Sequence, residues 1–222
     1  MKYPEYDNYK LTNQLHLPRP QPSDFAYDYF NGLKNGFYVD IGAAEGILCN
    51  NTVTFDKGYN WKGICIEPNS ISFNKLKENR PDAECLNIAI ADTEDDLEYW
   101  EIIGEASCLS GLKELMSAEH QERIIKEVKR YKDTLNKIKI KCTTFSSLKK
   151  LIPNNNINYL SIDAEGADFN IIKSINYKEY NIDLISVEAD HSFDAIKLHL
   201  YNNGYKHIGT CCGDKFFSKN NN

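Results

Sequence analysis

Short apolar runs alternate along the chain with stretches in which apolar residues recur every three or four positions. Such a rhythm predicts strands interleaved with helices, and hence a mostly parallel α/β sheet with helices on both faces. The predicted strands are Phe37 to Ile41, Gly63 to Ile66, 83–90, 97–103, 138–144, Tyr159 to Ile162 and Leu184 to Val187. The tail, YKHIGTCCGDKFFSK, adds two more around Gly213 as an antiparallel edge hairpin. Helices are expected over 23–34, capped by Ser23 or Asp24, from Asn50 to Phe55 onward, and from an Asn69 or Ser70 cap to just before Pro81. Two more follow, over 167–175 and over 192–203, the latter stopped by Gly204. A long helix over about 111–136 is expected from the spacing of Leu112, Leu115, Met116, Ile124, Ile125, Val128, Tyr131 and Leu135. It makes 105–137 a helical insertion, of a length typical of lids and binding segments. Residues 1–22 are polar and carry Pro4, Pro18, Pro20 and Pro22, so they read as an N-terminal arm ahead of one domain over 23–222.

Chemistry concentrates in residues 36–69, where a strand, a glycine loop, a helix and a second strand ending in Glu67 follow one another. This is the pattern of a nucleotide-binding half, in which a ligand lies across strand ends and an acid takes the ribose hydroxyls. Gly42 and Gly46 are read as clearing the backbone for the ligand. The loop itself is acidic, with Asp40 and Glu45. A carboxylate close to a phosphate is repelled by roughly 4 kcal/mol at an effective dielectric near 20, so a pyrophosphate is disfavoured. S-adenosylmethionine carries no phosphate, and its sulfonium and ammonium suit such a loop. Ala44 also stands where a dinucleotide fingerprint has its second glycine. The expected cofactor contacts are Asp40, Gly42, Ala43, Glu45 and Gly46 at the methionine end, with Asn51 and Thr52 reaching its carboxylate. Glu67 is expected on the ribose, Pro68 and Asn69 along the adenosine, Asn87 and Ile88 at the adenine, and Asp163 at the ammonium. Ser107 to Gly111 is expected to close over the site.

The runs GFYVDIGAAEG, NNTVTFDKGYNWKGICIEPN, LNIAIADTED and YLSIDAEGADFNII resemble the FkbM family of S-adenosylmethionine-dependent O-methyltransferases, in the family's order, over roughly residues 23 to 190. The Asp-Ala-Glu-Gly run with its Ala-Asp continuation is the most specific piece, although the family usually shows Glu where Asp168 stands. The resemblance implies a Rossmann-like class I methyltransferase fold and methyl transfer to oxygen. It also implies a small-molecule acceptor, with the hydroxyl of a sugar or glycan as the first candidate.

Methyl transfer to oxygen needs the acceptor in line with the sulfonium, about 3 Å from the methyl carbon, and a base for its proton. Asp163, Glu165, Glu188, Asp190 and His191 all map to strand ends on one edge. Asp163, Glu165 and His191 are the expected catalytic residues. Asp163 and Glu188 end strands expected to be neighbours, and a divalent cation, Mg²⁺ or Mn²⁺, would relieve their repulsion and acidify a bound hydroxyl. The alternative is structural: Asp163 caps the helix that follows it, and Glu165 and Gly166 shape a turn. His16, His120, His199 and His207 stand in no motif and receive no role.

Composition narrows the field. The 222 residues, 41% hydrophobic, allow one domain with a sizeable core. A net charge of −6 argues against nucleic acid as the main partner. No apolar stretch is long enough to span a bilayer, and MKYPEYDNYK has no signal-peptide core, so a cytoplasmic setting is expected. Seven cysteines without a Cys-x-x-Cys spacing suggest reduced thiols. Arg123, Lys126, Lys129, Arg130 and Lys132 read as a solvated helix face, with a patch for an anionic substrate as the sharper alternative. Two rival functions remain: a catalytically inactive cofactor-binding interaction module, and a nicotinamide-dependent oxidoreductase, which the acidic loop disfavours. Oligomeric state is not written in the sequence.

Overall fold

In the computed structural model, which describes residues 21–189 and 192–220, the apolar runs become strands and the periodic stretches become helices. The predicted arm, apart from its last two residues, lies outside the described residues, as do Asp190 and His191. Among the described residues the main sheet contains β1 (Phe37–Ile41), β2 (Lys62–Ile66), β3 (Glu84–Leu86), β8 (Asn156–Ile162), β9 (Asn181–Glu188), β10 (Tyr205–Cys211) and β11 (Asp214–Lys219). A second sheet contains β4 (Ala89–Ile90), β5 (Asp96–Ile103), β6 (Gly111–Leu112) and β7 (Thr134–Thr143).

The main sheet runs β10-β11-β9-β8-β1-β2-β3. Five strands from β3 to β9 are parallel, while β11 runs antiparallel to both its neighbours. This is the predicted Rossmann-like fold, with the tail hairpin at one edge: β10 is the outermost strand and β11 lies inside it. Strand order reverses between β1 and β8, and in open α/β sheets ligands settle in the crevice at such a reversal.

Alternation along each strand sends residues to opposite faces. Val39, Ile41, Ile64, Ile66, Leu160 and Ile162 enter one core, against α5 (Asp168–Ser174) and α6 (Phe193–Asn202). Tyr38, Cys65, Tyr159 and Phe216 enter the other, against α1 (Pro22–Phe30), α2 (Val53–Tyr59) and α3 (Ser70–Asn79). The α3 helix starts where Asn69 accepts hydrogen bonds from the Ile71 and Ser72 amides.

Two predicted elements are corrected. The strand expected over 83–90 divides into β3 and β4, which pair in different sheets. The Asn87 side chain donates to the Glu67 and Pro68 carbonyls and holds the crossing between them. The insertion over 105–137 is helical mainly in α4 (Ala118–Tyr131), with short 3₁₀ turns before it. Ser117 caps that helix by accepting from the His120 amide, and Lys132 ends it in the left-handed region at φ 60°. Leu112 falls in β6 and Leu135 in β7, so part of the apolar periodicity belonged to strands. Leu109, Met116 and Ile124 of this segment pack with Trp100 and Ile102 of β5 in a separate small core, while Leu112 and Leu115 join the main one. The basic face of α4 is solvated, and two of its cations pair with Glu122 and Glu127. No disulfide forms among the described residues, and no helix there is long and apolar enough to cross a membrane.

Candidate functional site

Register assembles the site. Ile41 pairs with both Ile66 and Ile162, and Ile66 with Leu86, so four parallel strands finish level. The residues that follow, Gly42, Glu67, Asn87 and Asp163, therefore stand in one row. Val187 pairs with Ile162 and Glu188 with Asp214, which extends the row with two more acids.

A cavity of about 430 Å³ opens over this row, within the usual size of small-molecule sites, about 300–1,000 Å³. Its wall includes Gly42, Ala44, Glu45, Glu67, Pro68 and Ile88 around the main sheet, Tyr99 from β5, and Ser107, Cys108 and Leu112 from the insertion. Glu67 is held at both oxygens: one accepts the Ala44 amide at 2.9 Å and the other the Asn69 amide at 2.7 Å. Each oxygen keeps a lone pair for a ligand hydroxyl. Burial pushes the Glu67 carboxyl up to about 7, against the pull of those amides. Glu45 pairs with Lys75 at 2.5 Å, so one of the two loop acids is offset by a cation on α3.

The other loop acid is offset from beneath. Asp40 is buried outside the cavity wall, where it accepts from Asn50 Nδ2 at 2.8 Å and Thr52 Oγ1 at 2.7 Å. Next to that pair lies Arg80, 0% exposed. It donates to Asp56 at 2.5 Å, Tyr38 at 2.7 Å, Asn50 at 3.0 Å, Thr52 at 3.1 Å and the Gly46 carbonyl at 3.2 Å. The loop thus rests on a buried cation that no sequence motif announces. Chain packing by itself already demands both glycines. A Cβ on Gly42 would lie 1.7 Å from the Asp163 carbonyl oxygen, and one on Gly46 would lie 2.6 Å from Leu76. Both also sit at positive φ, 83° and 79°.

Of the other expected cofactor residues, Pro68 and Ile88 line the cavity, while Ala43, Gly46, Thr52, Asn69 and Asn87 lie outside its wall. Ala43 donates its amide to the Ile66 carbonyl, and Asn69 donates to the Ile102 carbonyl and Ser110 hydroxyl. Asn51 faces a second cavity of about 220 Å³ and donates to Asp214 at 2.8 Å. Asn50, Asp163, Glu188 and Asp214 also line that second cavity. Asp163 and Cys49 belong to both walls, so the two cavities meet there.

Asp163, Glu165 and Glu188 each place an oxygen within 4.8 Å of the others. Burial, and then the Glu188 charge, raise Asp163 well above the usual carboxylate range and Glu165 to about 8. Asp168 is turned inward: its two oxygens accept the Ala164 and Gly166 amides, and its role is to shape the turn. Glu165 stands in the left-handed region at φ 48° and meets His120 Nε2 at 3.3 Å. His120, from the first turn of α4, thus joins the site although nothing in its sequence context suggested it. His191 lies outside the described residues.

These acids make a stability prediction. Glu67 and Asp214 are pushed up to about 7, Glu165 to about 8 and Asp168 to about 6, from ordinary values of 3.8 to 4.5, with burial the largest cause in each. The folded chain therefore binds protons more tightly than the unfolded chain between about pH 4 and pH 8. Stability contributed by these groups is present at the acid end of that window and is lost as pH rises through the folded values. The unliganded protein is expected to melt at a higher temperature at about pH 6 than at about pH 8. A calorimetric scan with the reverse order would refute this assignment of protons.

The sequence matches the Methyltransferase FkbM domain family over residues 40–207. No curated protein matches it. Among solved structures, the chain aligns with a precorrin-6y C5,15-methyltransferase from Geobacter metallireducens at TM-score 0.47 and 9% identity, over 88% of this chain and 84% of that one. It aligns with the FkbM methyltransferase from Methylobacillus flagellatus at TM-score 0.45 and 11% identity, over 94% of this chain and 57% of that one. With the METTL16 methyltransferase domain the values are 0.46 and 11%, over 88% of this chain and 64% of that one. The chain thus spans less than two thirds of the latter two.

Proposed function

The chain belongs to the FkbM methyltransferase family, and we propose that it transfers a methyl group from S-adenosylmethionine to a hydroxyl oxygen of a carbohydrate or other small-molecule acceptor. The observation that carries this reading is the position of Asp163, at the seam between a large cavity and a smaller polar one. A donor in the larger cavity and an acceptor in the smaller would meet beside that carboxyl.

In the larger cavity Glu67 accepts the two ribose hydroxyls on its remaining lone pairs, and Pro68 and Ile88 border the nucleoside. In the smaller cavity Glu188 and Asp214 offer carboxyl oxygens to the hydroxyls of a polyhydroxyl acceptor, while the Asn50 and Asn51 amides are engaged within the fold. The acceptor hydroxyl attacks the methyl carbon in line. Its O–H bond breaks toward Asp163, an O–CH₃ bond forms, and the sulfonium leaves as a neutral thioether.

A second reading rests on the spacing of Asp163, Glu165 and Glu188. Three carboxylates so close are a fitting donor set for Mg²⁺ or Mn²⁺, which prefer oxygen. Asp163 and Glu188, joined by Glu165, would hold the ion. When bound it would neutralise the cluster and lower the pKa of a coordinated hydroxyl.

The test is label transfer from methyl-labelled S-adenosylmethionine to pools of sugars, glycans and other hydroxyl compounds, with and without chelator. A labelled methyl ether is expected, and Asp163→Asn is expected to lower kcat about 10²–10⁴-fold. Donor binding without transfer to any acceptor would reject the enzyme reading in favour of an interaction module. Binding of a reduced nicotinamide cofactor in place of S-adenosylmethionine would turn the assignment to an oxidoreductase. Activity indifferent to chelation would reject the metal.

A further inference from the structure

Three carboxyls, those of Asp163, Glu188 and Asp214, stand in the wall of the smaller cavity. Glu188 and Asp214 are cross-strand partners on β9 and β11, so their side chains share a face. A Glu188 oxygen also lies within 4.8 Å of one on Asp163. Asp214 is only 7% exposed. Among the described residues the three carboxyls accept a single hydrogen bond, from Asn51 Nδ2 to Asp214 at 2.8 Å. None of their unpartnered oxygens is sealed inside the fold. The amides beside them are spent: Asn50 donates to Asp40 and to the Ala43 carbonyl, and Asn51 to Ser161 and Asp214. No Lys, Arg or His among the described residues lines this wall. Lys215, the neighbour of Asp214, stands over the Phe193 ring instead. The cavity is therefore rich in negative hydrogen-bond acceptors and lacks a cation to match them. Enclosed carboxylates are costly unless a cation or donors meet them. An ammonium supplies a positive charge and three N–H donors together, whereas a phosphate or carboxylate supplies neither.

We propose that the smaller cavity selects an acceptor with an ammonium next to the hydroxyl that is methylated: a vicinal amino alcohol, whose glycan form is a 2-amino sugar. The ammonium lies between Glu188 and Asp214, and the hydroxyl faces Asp163. The proposal deepens the reading of this cavity as the acceptor site and rests on it. Between two carboxylates the amine keeps its proton. It then has no lone pair to attack with, so the methyl goes to the neighbouring oxygen, whose proton leaves toward Asp163. The ammonium takes the place that a divalent cation fills in the second reading above.

Label transfer from methyl-labelled S-adenosylmethionine is to be measured on glucosamine, galactosamine and mannosamine, each beside its N-acetyl derivative and its parent hexose. The expected product is a methyl ether of an amine-bearing sugar. Its kcat/KM should stand about 10–100-fold above both comparators, the range of one hydrogen bond to a charged group. Asp214→Asn and Glu188→Gln, which each keep one accepting oxygen, should cut that ratio about tenfold. Because both rates come from one protein sample, partial misfolding does not move the ratio. Equal use of the N-acetyl sugars or parent hexoses overturns the proposal. So does label on nitrogen, or a ratio unchanged in both variants. A preference that disappears with chelator also overturns it, since the cation would then be a metal. Absence of transfer to all three amino sugars overturns it as well. If other hydroxyl compounds are still methylated, the methyltransferase reading stands without it; if none is, both fall.

Discussion

Glu67→Ala is expected to weaken S-adenosylhomocysteine binding by about 10²–10⁴-fold. Two hydroxyl-to-carboxylate hydrogen bonds vanish together, and bonds to a charged group contribute about 1.5–3 kcal/mol each. The same change also costs stability. The Ala44 and Asn69 amides now held by the carboxylate lose their partner, and each buried amide left unpaired costs about 1–3 kcal/mol. Alanine therefore tests two things at once, and Glu67→Gln separates them. The amide keeps the shape and one accepting oxygen, so it should preserve more of the fold than of the binding. Titration calorimetry beside thermal melts gives both numbers. Glu67→Ala with unchanged affinity would remove the ribose assignment. Protonation sharpens the test: with its carboxyl near 7 in the unliganded fold, donor binding should strengthen as pH rises through that value.

Arg80→Met carries the largest expected effect on stability. The guanidinium is fully enclosed and reaches Asp56, Tyr38, Asn50, Thr52 and the Gly46 carbonyl. It also lies close enough to Asp40 to lower that carboxyl against the rise caused by burial. Removing one member of a buried ion pair while leaving its carboxylates in place costs about 3–5 kcal/mol. For a domain of this size that corresponds to a fall of about 6–20 °C in Tm. Arg80→Lys should rescue little, because one ammonium on a flexible stem cannot match a planar fork that serves several acceptors. Donor affinity should fall as well, since Arg80 braces the loop that carries Ala44 and Glu45. A calorimetric loss below about 1 kcal/mol would show that the network is dispensable.

These two residues show how unevenly the site could be read from the chain. Glu67 was legible because a local rule names it: an acid that ends the second strand of a strand–glycine-loop–helix–strand unit. Asp163 and Glu188 were legible in the same way, as acids closing apolar runs. Strand pairing then set them side by side, through Ile162 and Val187. Arg80, His120 and Tyr99 follow no local rule. Arg80 lies 40 residues after Asp40 and His120 lies 45 before Glu165 in the chain, yet both pairs meet in the fold. Gly42 and Gly46 were read as clearing the backbone for a ligand, and only the fold shows that a side chain there would also meet the Asp163 carbonyl and the Leu76 side chain.

The same division holds for the fold. Periodicity is a local property: burial of one face imposes it on each element, so β1, α3, β8 and the tail hairpin could be placed from the sequence alone. Family membership could be read too, because the motifs are contiguous runs. Apolar spacing does not say which partner an apolar residue meets. Leu112, Met116, Ile124 and Leu135 therefore suggested a single helix, where Leu112 joins the main core from a short strand and only the other three share a second core. Charge balance was equally hidden. The chain shows Asp40 and Glu45 as bare carboxylates, and only packing brings Arg80 beneath the first and Lys75 beside the second. Coulomb and desolvation energies depend on distance and burial, and neither exists until the chain has folded.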